Sequence, residues 1–223
     1  QQRVALARAL VHEPNILLLD EPFSNLDAKL REQMRVQLKL LLNKLAITAI
    51  FVTHDQAEAL SLSDRIVVMN AGHVEQIGLS KVLYEQPASP FVRDFLGQVV
   101  LLPGIVEDAR PGQDVMVLLD GASGDRVQAP WPAGFEPAAG SAVSVAIRPE
   151  DLQVLPGDDR QSDANCLKGI IEAALFVGDH YECRVKLGDG VTFALLTPRS
   201  ESQGAGDAIR LELPQRSLSL WPR

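Results

Sequence analysis

The stretch Ile16-Leu17-Leu18-Leu19-Asp20-Glu21-Pro22 decides the fold of the first half of this chain. Four apolar residues in succession predict a strand buried on both faces, as in a parallel sheet. Pro22 ends the strand, because proline has no backbone N–H for a sheet. Ligands of open parallel sheets bind beyond the carboxyl ends of the strands, so Asp20 and Glu21 are placed to meet a metal-bound phosphate and an attacking water. The other interpretation is a buried strand that ends in an acidic turn.

The composition is that of a folded protein with an acidic balance. The 223 residues are 46% hydrophobic and 22% charged, with a formal net charge of −8. This charge argues against nucleic acid as the principal ligand, because phosphate backbones require clustered Lys and Arg. No apolar run approaches the roughly 20 residues that cross a bilayer. The chain opens with Gln1 and no charged-then-apolar leader, so we expect no signal peptide and a membrane role only through a partner protein.

Cys166 and Cys183 are the two cysteines of the sequence. Two cysteines provide neither a disulfide framework nor a four-cysteine zinc site. We expect reduced thiols in a cytosolic protein, and the sequence leaves a single bridge open as the alternative.

The first half alternates between helical and strand patterns. Helices are predicted over 1–10, after the capping residues 24–27, and over 56–62, 80–84 and 91–96. Strands are predicted over 16–19, 47–52, 66–69 and 73–77. The β-α-β-α order implies an α/β fold with a parallel sheet covered by helices.

The second half has no helical periodicity, and its short apolar runs are separated by Gly, Pro and Asp. Strands are predicted over 115–119, 143–147, 167–175, 181–187, 191–195 and 209–213, with a turn at 188–190 and a mobile loop at 156–164. This pattern indicates a small β-barrel or sandwich. We place the domain boundary near Gly97, which gives domains over 1–97 and 98–223.

Four motifs of the first half together resemble the ATP-binding subunit of ABC transporters. Residues 1–10 (QQRVALARAL) are similar to the helix that follows the signature loop of that family, and Ile16–Pro22 to its Walker B strand. Ser24-Asn25-Leu26-Asp27 is similar to the D-loop, and Thr53-His54-Asp55 to the switch-histidine loop. The motifs stand in the order and at the spacing of the family.

The second half resembles the TOBE domain, an OB-like β module of importer ATPases for sulfate, iron(III), polyamines, sugars and similar solutes. The resemblance rests on residues 145–151 (VAIRPED) and 176–179 (FVGD). It implies a partial P-loop NTPase-like parallel sheet with helices, followed by an all-β OB-like domain. For Arg148 we favour a structural ion pair or hydrogen-bond centre over ligand contact.

The resemblance implies ATP and Mg²⁺ as cofactors. Asp20 would hold Mg²⁺, directly or through a water, as a carboxylate at a strand end can. Glu21 would be the catalytic base that orients or deprotonates the attacking water. His54 would contact the γ-phosphate and keep the site closed, whereas a lone histidine of this kind is otherwise a structural residue.

The remaining implied site residues belong to a composite site between two subunits. Ser24 and Asp27 would lie at the dimer interface that links the two ATP sites, and capping of the following helix is compatible with this role. Gln1 and Gln2 begin a helix that would point at the ATP of the partner subunit, because helix N-termini attract phosphate.

One departure from the family pattern is large. The phosphate-binding P-loop, G-x-x-x-x-G-K-[ST], is absent from the sequence, as are the glutamine of the loop between lobes and the signature loop. The sequence therefore predicts the C-terminal portion of a longer subunit.

Three functional hypotheses follow. The first is part of an importer ATPase on the cytoplasmic side of the inner membrane, working as a homodimer with transmembrane permease subunits and, indirectly, a solute-binding protein. The second is a non-catalytic module for dimerisation and regulation that cannot bind ATP by itself. The third, an ABC-type ATPase acting on DNA, is disfavoured because a β domain stands in place of long coiled coils and the charge is acidic.

Overall fold

The computed structural model describes residues 2–12, 14–121, 124–155, 165–188, 190–200 and 203–223. The chain divides into two units, Gln1–Gly97 and Gln98–Arg223. The predicted loop over 156–164 and the central Asp189 of the predicted turn lie outside the described residues.

The first unit holds helices and strands in the predicted alternation. Its elements are α1 (Gln2–Leu10), β1 (Ile16–Asp20), α2 (Ala28–Leu45), β2 (Thr48–Val52), α3 (Gln56–Leu62), β3 (Arg65–Asn70), β4 (His73–Leu79), α4 (Ser80–Glu85) and α5 (Pro90–Phe95). Two aspartates begin helices: Asp27 accepts from the backbone N–H of Leu30, and Asp55 from that of Glu58. Such N-caps satisfy backbone donors that a helix start leaves free.

Strands β1 and β2 form a parallel pair. The register runs from Ile16 opposite Thr48 to Asp20 opposite Val52, with α2 as the crossover that parallel strands need. Among the described residues this pair is the whole parallel sheet. Strand β3 pairs instead with β4 in an antiparallel hairpin, because Ala71 and Gly72 both adopt the positive φ that a tight hairpin turn requires.

The parallel pair is covered on one face. Met34, Leu38 and Leu42 of α2 are buried in a cluster that includes Leu17 of β1, and their spacing of four is that of one helix face. On the other face, Leu18 is 72% exposed. The prediction that Ile16–Leu19 is buried on both faces is therefore wrong for this chain, because no helix among the described residues covers the second face. That face carries four apolar side chains that are all more than half exposed: Ile16, Leu18, Ile50 and Val52.

The second unit is all-β, as predicted. Its strands are β5 (Val100–Asp108), β6 (Val115–Leu119), β7 (Arg126–Ala129), β8 (Ala142–Ile147), β9 (Gln153–Val154), β10 (Cys166–Phe176), β11 (His180–Leu187), β12 (Thr192–Pro198), β13 (Ala208–Glu212) and β14 (Ser219–Pro222). They form two five-stranded sheets, in the orders β14-β8-β5-β6-β7 and β12-β11-β10-β13-β9. One hydrophobic core takes side chains from both sheets, among them Val117 and Val145 of the first and Ile171 and Val185 of the second.

Sequence reasoning missed four strands of this unit: β5, β7, β9 and β14. Pro103 and Gly104 interrupt the apolar run of β5, and both residues are signals against a strand interior. Cys166 and Cys183 are free thiols, so the open alternative of a bridge does not apply. Arg148 is buried and donates from Nη1 to the carbonyl of Gln98 at 2.8 Å, in agreement with its predicted structural role.

Candidate functional site

The carboxyl ends of β1 and β2 bring two loops of the predicted site together. Parallel strands end at the same edge of a sheet, and here Asp20 is the register partner of Val52. The next residue, Glu21, continues the contact, since its backbone N–H donates to the Val52 carbonyl at 2.8 Å. Residues 20–21 therefore lie beside residues 53–55, because loops that follow paired parallel strands begin at the same edge of the sheet.

Glu21 and His54 are in direct contact at this edge. The Nδ1 atom of His54 lies 2.8 Å from Oε1 of Glu21. Both side chains face solvent, with 77% of His54 and 46% of Glu21 exposed. Glu21 has a positive φ of 44°, an uncommon conformation for a residue other than glycine, and Ser24 supports it by donating both its backbone N–H and its hydroxyl to the Glu21 carbonyl.

The backbone on either side of His54 is held by side-chain hydrogen bonds. The Thr53 hydroxyl donates to Oε2 of Glu58 at 2.7 Å and accepts from the Asp55 backbone N–H at 3.0 Å. Oδ1 of Asp55 accepts from the Glu58 backbone N–H at 3.0 Å. Glu58 is only 4% exposed, and a buried carboxylate needs such partners. The two residues that flank His54, Thr53 and Asp55, therefore both hydrogen-bond to Glu58 in the first turn of α3.

Arg31 joins this segment to the loop that precedes α2. Its Nη1 donates to Oδ2 of Asp55 at 3.3 Å, and its Nη2 to the carbonyl of Leu26 at 3.1 Å. One guanidinium therefore contacts both the 24–27 loop and the 53–55 loop.

The other predicted site residues are placed as follows. Asp20 is exposed at the end of β1. Ser24, Glu21 and His54 line one small cleft at this edge of the sheet. The carboxylate of Asp27 accepts from the Leu30 N–H and caps α2. Gln1 lies outside the described residues, and Gln2 begins α1 with its side chain outside the description.

Two carboxylates at this edge are potential metal ligands. Within the described ranges, no three His, Cys, Asp or Glu residues form a group that could hold a metal. Asp20 and Glu21 are adjacent carboxylates at a solvent-facing edge, and Mg²⁺ commonly takes one or two carboxylates while phosphate oxygens and waters complete its shell.

Sequence reasoning missed Arg31 and Glu58. A signal for Glu58 was present, because Asp55-Gln56-Ala57-Glu58 has the spacing of a capping box, a helix cap followed three residues later by an acidic side chain. For Arg31 no local signal exists, since its partner Asp55 is 24 residues away in sequence.

Comparisons with known proteins show what the chain is similar to. The TOBE domain family matches residues 145–221. The chain is also similar, over most of its length, to ATP-binding subunits of ABC importers, and it matches the C-terminal part of such a subunit, as predicted.

Three of these relatives show the extent of the match. The chain is 47% identical over 190 residues to the spermidine/putrescine import ATP-binding protein PotA of Rubrobacter xylanophilus, covering 85% of the chain and 48% of that protein. It is 46% identical over 228 residues to PotA of Pseudomonas fluorescens strain Pf0-1, covering 99% and 59%. It is 38% identical over 223 residues to PotA of Desulfitobacterium hafniense, covering 100% and 59%. The chain thus spans about half the length of these relatives.

Among solved structures, the cytoplasmic molybdate-binding protein ModG with molybdate bound is similar, with a TM-score of 0.45 and 17% identity, over 55% of this chain and 95% of that one. Separately, none of the described helices has the length and apolar character needed to cross a membrane.

Proposed function

We propose that this chain supplies the catalytic carboxylate and the switch histidine of the ATP-hydrolysing subunit of an ABC importer. The observation that carries the proposal is the 2.8 Å contact between Glu21 and His54 at the carboxyl edge of a parallel strand pair. The similarity to importer ATP-binding subunits supports it. Phosphoryl transfer from ATP needs mainly positioning and charge neutralisation, which is what a carboxylate and an imidazole fixed at a sheet edge can provide.

Each residue at the edge has a distinct proposed role. Glu21 orients the attacking water or accepts its proton. His54 contacts the γ-phosphate while its Nδ1 remains bonded to Glu21. Asp20 would hold Mg²⁺, which when bound neutralises phosphate charge. The side chain of Asp27 keeps its cap on α2, and we propose that Ser24 and Asp27 also face a second copy of the subunit.

We propose that the phosphate cradle of this site comes from residues outside these 223, since the sequence contains no P-loop. Two observations support completion by a further segment. The chain covers only 48% and 59% of two PotA relatives, and the β1–β2 pair exposes an apolar face of the kind that parallel sheets normally bury. In the complete protein we propose a homodimer bound to transmembrane permease subunits on the cytoplasmic side of the membrane.

We also propose a polyamine as the transported solute. The basis is the name shared by the relatives at 38–47% identity, spermidine/putrescine import protein. Uptake of labelled spermidine and putrescine by cells that contain or lack the complete gene would test this part. Uptake that is unchanged on deletion would reject the solute and leave the ATPase assignment open.

The catalytic proposal is tested by Glu21→Gln in the complete subunit that contains this chain, with phosphate release from Mg-ATP as the readout. Loss of a general base typically costs about 10²- to 10⁴-fold in rate, and we expect a fall in that range. Glu32→Gln, which neutralises an exposed carboxylate on α2, is the matched control and should hydrolyse ATP at the wild-type rate. A Glu21→Gln subunit that keeps most of its turnover would show that Glu21 is not the base.

The second candidate function is a non-catalytic dimerisation and regulatory module, which the missing P-loop favours for the 223-residue chain on its own. Calorimetry with Mg-ATP on this chain tests whether it binds ATP without a P-loop. We expect no binding at micromolar ATP. Tight binding would contradict the argument from the missing phosphate cradle.

A further inference from the structure

We propose that Arg31 is a positioning residue that holds the 53–55 loop, and with it His54, in register with the 24–27 loop. This inference rests on the proposed function, because it concerns the geometry of the same site. Arg31 lies in the first turn of α2, where its backbone N–H donates to the Asp27 carbonyl at 2.8 Å. Its side chain is therefore anchored at the point where the 24–27 loop becomes helix.

The Arg31 guanidinium donates one hydrogen bond to each of the two loops. Toward its own loop, Nη2 donates to the Leu26 carbonyl, and toward the other loop, Nη1 donates to Asp55. The planar, rigid fork of arginine fixes the angle between two such bonds, which the single nitrogen of lysine cannot do. The contact with Asp55 is also an ion pair between side chains that are 33% and 25% exposed, so solvent screens it only in part.

Asp55 connects the Arg31 contact to the position of His54. One carboxylate oxygen of Asp55 caps α3 through the Glu58 N–H, and the other receives the Arg31 bond. Both oxygens of the Asp55 carboxylate are thus engaged, and the backbone N–H of Asp55 donates to the Thr53 hydroxyl. His54 stands between these two residues, and its Nδ1 meets Glu21 at 2.8 Å.

The Arg31 side chain is held closely at this position. Its Nε is buried and, among the described residues, has no hydrogen-bond partner. An unsatisfied buried donor has a free-energy cost, and the two Nη bonds offset it. This arrangement agrees with a role of the Arg31 side chain in connecting the 24–27 and 53–55 loops.

The test uses Arg31→Lys, with Lys39→Met as the matched control. Lys39 also lies on α2 and also links it to the α3 region, through the Leu62 carbonyl at 2.6 Å and Asp64 at 3.0 Å, but it does not contact either loop. If α2–α3 packing alone mattered, the two variants would behave alike.

The first readout is the ring ¹⁵N chemical shifts of His54 in this chain, which report whether Nδ1 bonds to Glu21 and need no ATPase activity. We expect Arg31→Lys to shift them toward the values of Glu21→Gln, and Lys39→Met to leave them unchanged. The second is steady-state hydrolysis by the complete subunit. Displacement of a reacting group by about 1 Å costs up to roughly 100-fold in rate, so we expect kcat to fall roughly 10- to 100-fold while KM for ATP changes little.

Asp55→Asn provides an independent variant, because asparagine keeps the helix cap and loses the charged partner of Arg31. We expect the same His54 shifts as in Arg31→Lys, and no further change in the double variant, since both substitutions break one connection. Wild-type His54 shifts in Arg31→Lys, or equal shifts in Lys39→Met, would overturn the proposal. Altered shifts with no ATPase activity in the wild-type subunit would instead retain the Arg31 role and reject the proposed function.

Discussion

His54 Nδ1 and Glu21 Oε1 lie 2.8 Å apart although 33 residues separate them in sequence. The contact exists because β1 and β2 are parallel and in register up to Asp20 and Val52, so the residues after both strands meet at one edge. It is a bond between a ring nitrogen and a carboxylate at an open surface, where solvent has access to both groups. The strength of this hydrogen bond and its effect on other residues of the chain can be measured in separate experiments.

We expect His54→Ala to lower kcat of the complete subunit by about two orders of magnitude with little change in KM for ATP. An interaction made mainly in the transition state has this signature. Groups that act as a unit are non-additive, so Glu21→Gln with His54→Ala should lose little more than the stronger single variant. His73→Ala, which removes an exposed histidine of β4, should be silent. Multiplicative losses in the double variant would contradict a shared role.

We expect Thr53→Val to destabilise the first unit by about 1–3 kcal/mol, the usual cost of a buried polar group that loses its partner. The buried carboxylate of Glu58 would lose the hydroxyl that donates to it at 2.7 Å. Urea unfolding can be followed at 222 nm, because the five α-helices that the structure describes all lie in the first unit.

Tryptophan fluorescence supplies an internal control for this experiment, since Trp131 and Trp221 are the two tryptophans of the sequence and both belong to the second unit. The tryptophan transition should keep its midpoint in Thr53→Val. A helical transition within 0.5 kcal/mol of wild type, the usual range for surface changes, would show that Thr53 does not satisfy Glu58.

We expect Ala46→Gly to stabilise the first unit. Ala46 ends α2 with φ 53° and ψ 33°, in the left-handed region, where a residue with a Cβ costs roughly 1–2 kcal/mol. Glycine removes that cost but gives the unfolded chain more freedom, by about 0.4–1 kcal/mol. The net gain should be a few tenths to about 1 kcal/mol in the 222 nm transition. Ala57→Gly, at an exposed position inside α3, should have the opposite sign, and a loss of stability in both variants would contradict the strain at Ala46.

We expect Asp179 to give the second unit a pH-dependent stability. The hydrogen bond from His180, at 2.6 Å, lowers the pKa of the Asp179 carboxyl, with smaller effects from its own backbone and from the His180 charge. Because the folded-state pKa lies below the unfolded value of about 3.9, this contribution is complete above that value and is lost as the pH falls through the folded pKa.

Tryptophan-detected urea midpoints between pH 7 and pH 2.5 would measure this dependence. Asp179→Asn should flatten the acid limb, while Asp114→Asn, which removes an exposed charge elsewhere in the same unit, should retain it. An unchanged acid limb in Asp179→Asn would exclude this pair as its source.

Much of the architecture was predictable because it depends on local patterns. Met34, Leu38 and Leu42 recur at the spacing of one helix face and are buried in α2, and α3 spans the predicted residues 56–62 directly after its cap at Asp55. The strands with clean alternation, such as β6 and β8, were also predicted. The missed strands are short, as β7 and β9 are, or carry Pro and Gly, as β5 does, so that their pairing partners and not their own residues specify them.

The sequence by itself determined the order of the elements in the first unit, the side-chain types at Glu21 and His54 and the absence of a P-loop, since these depend on residue type and spacing along the chain. Tertiary structure alone decided which groups meet. The parallel register places Glu21 on His54, and the packing of α2 beside α3 places Arg31 between Leu26 and Asp55. These contacts join residues distant in sequence, and their distances are fixed by sheet register and helix packing, which no local pattern encodes.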